Sequence, residues 1–146
     1  MVFATKERRP LITPDLKPKL HAYMAGTVKS LGCHVHALDG VADHCHLVFD
    51  LAPKLALADF ANKLKAGATG WAREDGHREF GWQRGYRAFS MNQESLESAV
   101  QYVKNQESHH AKTSFRDELE GFMKLHGMEV DPEFVDGLEP PLCQKE

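Results

Sequence analysis

A chain of 146 residues with 42% hydrophobic and 27% charged side chains can bury one core of ordinary size and is too apolar to remain disordered. It has no apolar run of the ~20 residues that a membrane span needs, and no signal peptide is visible. Three cysteines, Cys33, Cys45 and Cys143, lack CxxC spacing, which argues against a disulfide framework and for the reducing cytoplasm.

Val2 to Thr5 predicts a short strand, followed by the charged turn Lys6-Glu7-Arg8-Arg9-Pro10. Thr13 is the expected N-cap of a first helix with Pro14 at its first position, and Leu16, Leu20, Tyr23, Met24, Thr27 and Leu31 follow at helical spacing up to Gly32. Cys33 to Leu38 and His44 to Leu51 read as a hairpin with Asp39-Gly40 as its turn. A second helix carries Leu57, Phe60, Ala61, Leu64 and Ala68 and is expected to reach Trp71. After an irregular polar stretch, Tyr86 to Ser90 predicts a fourth strand, and Ser95 opens a third helix with Leu96, Val100 and Val103 as its apolar stripe. A last amphipathic piece contains Phe115, Leu119, Phe122 and Leu125, before a Pro-rich acidic end. The order βαββαβα predicts an α+β fold of the ferredoxin-like or RRM-like kind, an antiparallel sheet with helices on one face.

The net charge of −3 conceals an asymmetry. Residues 1–112 carry 15 Lys and Arg against 12 Asp and Glu, whereas residues 113–146 carry 3 against 9. The acidic balance therefore belongs to the tail, and the body can present a basic face to nucleic acid. We divide the chain accordingly into a body, 1–112, and a helical or extended acidic tail of the same domain, 113–146.

Two sequence features carry chemistry. In Asp43-His44-Cys45-His46-Leu47-Val48-Phe49-Asp50, strand alternation places His44 and His46 on one face and Cys45, Leu47 and Phe49 on the other. Far downstream, Tyr102 and Gln106 lie four apart on a helix, beside its apolar stripe. Two imidazoles and an amide oxygen leave coordination positions for water and a phosphate oxygen, a mixed donor set suited to Mg²⁺ or Mn²⁺. Such an ion draws charge from a phosphate, and the Tyr102 hydroxyl can attack it to store the cleaved bond as a phosphotyrosine. Lys6, Arg8, Arg9, Lys63, Lys65, Arg84 and Arg87 are candidate phosphate contacts.

His-x-His on a strand followed by Tyr-x-x-x-Gln on a later helix resembles the single-tyrosine HUH transposases, the TnpA-like enzymes of small hairpin-ended insertion sequences. The resemblance extends from Phe3-Ala4-Thr5-Lys6-Glu7-Arg8-Arg9-Pro10 through Trp82-Gln83-Arg84-Gly85-Tyr86-Arg87-Ala88-Phe89-Ser90 to Tyr102-Val103-Lys104-Asn105-Gln106-Glu107-Ser108-His109-His110. It implies that 1–112 is a catalytic domain, that His44, His46 and Gln106 bind the metal, and that Tyr102 is the nucleophile. It further implies a single-stranded DNA substrate with a hairpin, a 5′-phosphotyrosine intermediate, and a homodimer across which the sheet continues. A domesticated relative that processes repeats is the alternative within the family. An idle RRM-like nucleic-acid-binding module is the alternative outside it, but such a module needs exposed aromatics at the strand centres. Cys45 departs from the bulky aliphatic residue usual between the two histidines, and its outward direction predicts packing as a small hydrophobe. His34 and His36 form a second His-x-His, read as a polar sheet face rather than as half of a four-histidine zinc site.

Overall fold

The computed structural model describes residues 1–106, 108, 114–125 and 127. Its elements are β1 (Val2–Ala4), α1 (Leu16–Ser30), β2 (His34–Val41), β3 (His44–Asp50), α2 (Leu57–Glu74), α3 (Leu96–Lys104) and α4 (Phe115–Leu125), with single 3₁₀ turns at Lys6–Arg8 and Gln93–Ser95. The three strands form an antiparallel sheet in the order β1-β3-β2. β3 is thus central, with Val2 opposite His46 on one side and Asp39 opposite His46 on the other.

Each face of β3 has its own cover. Phe3, Cys45 and Leu47 meet the stripe Leu16, Leu20, Met24 and Val28 of α1 and the stripe Phe60, Leu64, Ala68 and Ala72 of α2, all buried. These four-residue steps keep each helix's apolar side chains on one face. On the reverse face Ala37, Val48 and Val103 form a smaller core, flanked by Leu96, Ala99, Val100 and Tyr102. The sequence pattern predicts helices on one face only, and the structure differs. α1 and α2 cover one face and α3 the other, because β2 and β3 carry apolar side chains on both.

Three local expectations also shift. Helix α1 begins at Leu16 with Asp15, not Thr13, at its N-cap. Asp39 and Gly40 lie inside β2, and the chain reverses at Ala42-Asp43 instead. Glycine is needed at position 40 for close approach, not for the turn: a Cβ there would stand 2.1 Å from the His44 carbonyl oxygen and 2.9 Å from Cys45 Cα. The expected fourth strand forms no ladder: Arg87 makes a single bridge to Val2 of β1, and a second bridge, ahead of it, joins Trp82 to Thr5 just past β1. Between them Gly85 takes φ +80° and breaks the ladder. The carbonyls of Gln83 and Gly85 are bonded instead by Lys65 Nζ, at 2.6 Å each. Trp82 secures this segment by edge contacts with Phe3 (4.7 Å between centroids) and Phe80 (5.0 Å).

Ahead of α3, Asn92 caps the 3₁₀ turn by accepting from the Ser95 amide at 2.9 Å. The tail expected over 113–146 is represented by α4, and its Pro-rich acidic end, with Cys143, lies outside the described residues.

Gly40→Ala should lower unfolding free energy by about 1–3 kcal/mol, the usual cost of forcing atoms into a packed site. Urea melts of the two proteins read the difference, and equal midpoints would show that the hairpin yields freely at this point.

Candidate active site

The site is built around β3. His44 and His46 are 1% and 3% exposed, on the face opposite Cys45, with ring centroids 5.2 Å apart. The orientation of His44 has a visible cause. Its Nδ1 donates to Asp43 Oδ1 at 2.7 Å, while Asp43 Oδ2 accepts from Arg8 Nε and Nη2 at 3.0 and 2.7 Å. A histidine held this way by a carboxylate presents its Nε2 in a fixed direction and tautomer. Burial alone raises the Asp43 carboxyl, but the hydrogen bonds from His44 and Arg8 outweigh it and hold the group at about 2. Arg8 reaches Asp43 from a 3₁₀ turn in which Glu7 and Arg8 take φ +57° and +53°, a left-handed conformation uncommon for side chains with a Cβ. Thr5, fully buried, anchors that turn to the hairpin by donating its amide to the Asp43 carbonyl at 2.9 Å.

The other two expected residues come to the same place within a single chain. The Tyr102 ring stands edge-on to His46, with centroids 5.9 Å apart. Gln106 is fully buried just beyond the end of α3, and its Nε2 donates to the Tyr102 carbonyl at 3.4 Å. Tyr102, Gln106 and the two imidazoles thus share one site. Burial lowers His46 below the ordinary imidazole range, with the neighbouring Glu118 pulling the other way, so at neutral pH this ring is in the uncharged form that binds metals.

Glu118 of α4 is the residue that sequence reasoning missed. Its side chain is 2% exposed; Oε1 lies 3.5 Å from His46 Nε2, and Oε2 lies 3.8 Å from His44 Nε2. Gln106 Nε2 donates to its Oε1 at 3.3 Å. One donor atom each from His44, His46 and Glu118 fits within 4.8 Å, the one such buried trio among the described residues. Two nitrogens and a hard oxygen, all desolvated and convergent, suit a divalent cation. A cavity of about 710 Å³ opens beside them, lined by His46, Val48, Met91, Ser98, Tyr102 and Leu125 among others.

The candidate phosphate contacts divide. Lys6, Lys63 and Arg84 are exposed. Arg8 is committed to Asp43, and Lys65 to two backbone carbonyls, with burial lowering its ammonium from the usual range. Arg9 pairs with Glu79 at 2.6 Å on the surface, and Arg87 donates to the Tyr86 carbonyl at 3.1 Å. Cys45 is fully buried, burial pushes its thiol far up, and it packs in the main core as expected. His34 lies opposite Asp50 and His44 opposite Val41, at opposite ends of the hairpin, so the two histidine pairs share no metal. His36 instead donates to Asp50 at 2.9 Å. His109 and His110 lie outside the described residues.

Known proteins place this arrangement in a class. The family described as "Transposase IS200 like" matches residues 1–106, and the chain belongs to that family. Transposases cut DNA and transfer strands, so the chain falls among enzymes of that general kind. A crystal structure from Deinococcus radiodurans R1, provisionally described there as a transposase, superposes with a TM-score of 0.57 at 20% sequence identity, over 72% of this chain and 86% of that one. At that identity it speaks for the fold. Among curated proteins none matches the sequence. No described helix is long and apolar enough to cross a membrane.

Asp43→Asn tests the clamp. The depressed carboxyl contributes stability that is complete above its ordinary value near 4 and is lost as pH falls through about 2. At pH 7 the variant should be less stable by up to about 2 kcal/mol, with the gap closing toward pH 2. A gap that persists unchanged at pH 2 would assign the effect to packing rather than charge.

Proposed function

We propose that this protein is a single-tyrosine transposase that cleaves and rejoins single-stranded DNA with the help of a divalent ion, Mg²⁺ or Mn²⁺. The observation that carries the reading is the meeting of Tyr102, His44, His46 and Gln106 at one buried site. Residues 1–112 form the catalytic domain, and 113–146 are its tail.

His44, His46 and the Gln106 amide oxygen hold the ion, which when bound withdraws charge from the scissile phosphate. Asp43 fixes the ring of His44. Tyr102 then attacks phosphorus through its phenolic oxygen, giving its proton to solvent. The bond to the 3′ oxygen breaks, and that oxygen takes up a proton to leave as a free 3′-OH. The 5′ side remains on the enzyme as a phosphotyrosine. Rejoining is the reverse attack by a 3′-OH, and because the phosphoester bond is conserved throughout, no ATP is needed.

The cavity beside Tyr102 supports an unpaired strand as substrate. Its mouth carries Met91 and Leu125, which are 42% and 78% exposed, and apolar surface of this kind accepts the face of an unstacked base. Exposed Lys6, Lys63 and Arg84 are the strongest candidates for phosphate contacts, and the hairpin end of the element is the proposed recognition feature. The outer edge of β2 has no described partner strand, which supports a homodimer that continues the sheet. The cytoplasm is the proposed compartment.

Tyr102→Phe should bind a labelled hairpin strand with affinity near that of the unaltered protein and yield no covalent adduct on a denaturing gel. An adduct from the variant would remove Tyr102 from its role. EDTA should abolish cleavage by the unaltered protein, and Mg²⁺ or Mn²⁺ should restore it. Cleavage undiminished in chelator would remove the ion.

A further inference from the structure

The metal reading just proposed makes no use of one buried carboxylate. Glu118 is as deeply desolvated as the two imidazoles it faces, and it is delivered by an element, α4, that plays no part in the scheme so far. A carboxylate is costly to bury unless a cation or several donors compensate it. Gln106 donates to it at 3.3 Å, and the His46 and His44 Nε2 atoms stand 3.5 and 3.8 Å from its two oxygens.

We propose that Glu118 is a protein ligand of the catalytic ion, making the centre two imidazoles, one carboxylate and the Gln106 amide. The claim rests on the existence of the metal site and adds a residue to it. The spacing is the first support. Ligands about 2.1 Å from one ion stand about 3 Å apart when adjacent and about 4.2 Å apart when opposite. The observed 3.5 Å from Glu118 Oε1 to His46 Nε2 and 3.8 Å from Glu118 Oε2 to His44 Nε2 lie inside that interval. The hydrogen bond is the second. By donating its NH₂ to Glu118 Oε1, Gln106 leaves its own oxygen for the ion, so the two side chains complement rather than displace each other. These four side chains would hold the ion and leave room beside it for a phosphate oxygen. The carboxylate also removes one positive charge from the loaded centre and strengthens its hold on a hard divalent ion.

The opposite role is a plug: a carboxylate lying where the phosphate should enter, repelling DNA until α4 moves. The two roles predict different things of Glu118→Gln, which keeps shape and removes charge. We would titrate the full chain with Mn²⁺, following free Mn²⁺ by electron paramagnetic resonance, and melt each protein with and without the ion. For a ligand, Glu118→Gln should weaken Mn²⁺ binding at least about tenfold. The ion should also raise the melting temperature of the unaltered protein by more than that of the variant. Glu118→Asp should fall between the two in Mn²⁺ affinity. Unchanged Mn²⁺ affinity in Glu118→Gln, with tighter binding of a labelled single strand, would overturn the proposal in favour of the plug. A lower metal-free melting temperature with unchanged affinity would overturn it in favour of a merely structural contact. The double variant His44→Ala, His46→Ala separates the two levels. If it binds Mn²⁺ as the unaltered protein does, the metal site itself falls. If it loses the ion while Glu118→Gln keeps it, only the role of Glu118 falls.

Discussion

The pleat of β3 is the constraint from which the site follows. A central strand with neighbours on both sides cannot rotate, so its alternation is locked: Cys45 and Leu47 are committed to the core under α1 and α2, and His44 and His46 to the reverse face. A slip of one residue would drive both imidazoles into an apolar core and lift the thiol into the site. Such an error would lose the contacts of Phe3, Leu47 and the helix stripes together, which is why the register is strongly specified. The candidate site is thus positioned by packing on the opposite side of the sheet.

Strand geometry fixes where the imidazoles start, and the Asp43 clamp fixes where that of His44 points. Arg8, Asp43 and His44 form a chain of charge-assisted bonds that runs from the turn after β1 to the edge of the site. The left-handed backbone at Glu7 and Arg8 is the strained part of that chain, and Thr5 holds it against the hairpin. A phosphate contact for Arg8 would have to break its bonds to Asp43 and so release His44. That makes Arg8 a poor choice for reading DNA and a good one for holding a histidine in place.

What was legible in the sequence follows from how local each cause is. The facing of His44 and His46 needs only a period of two, and the stripes of α1 and α2 need only helical spacing, so both could be read directly. Tyr102 and Gln106 share a helix face by spacing, but their arrival beside β3 depends on α3 crossing the reverse face of the sheet, and only resemblance to a family suggests it. Asp39-Gly40 misleads because the same glycine serves a tight turn or a close backbone approach, and nothing nearby distinguishes them. The segment 86–90 has strand composition, yet Gly85 and the bonds of Lys65 to its carbonyls prevent a ladder. Glu118 was out of reach: it lies among Asp117 and Glu120 on an amphipathic helix, in a tail whose charge reads as solvated, and 72 positions separate it from His46.

The same tail changes the electrostatic account of the whole molecule. By composition the body has a modest basic surplus and the tail a strong acidic one, which suggests that the tail stands away from any DNA. Several of the body's cations are already spent internally, Arg8 on Asp43, Lys17 on Asp39 and Lys19 on Asp75. At least one of the tail's anions is not at the surface but at the centre of the site. The field that meets a strand therefore cannot be read from net charge in either region. It is set by which charges stand exposed and which are paired or buried. In the function proposed above, the ion would add two positive charges beside the phosphate, and the buried Glu118 carboxylate would help to keep it there.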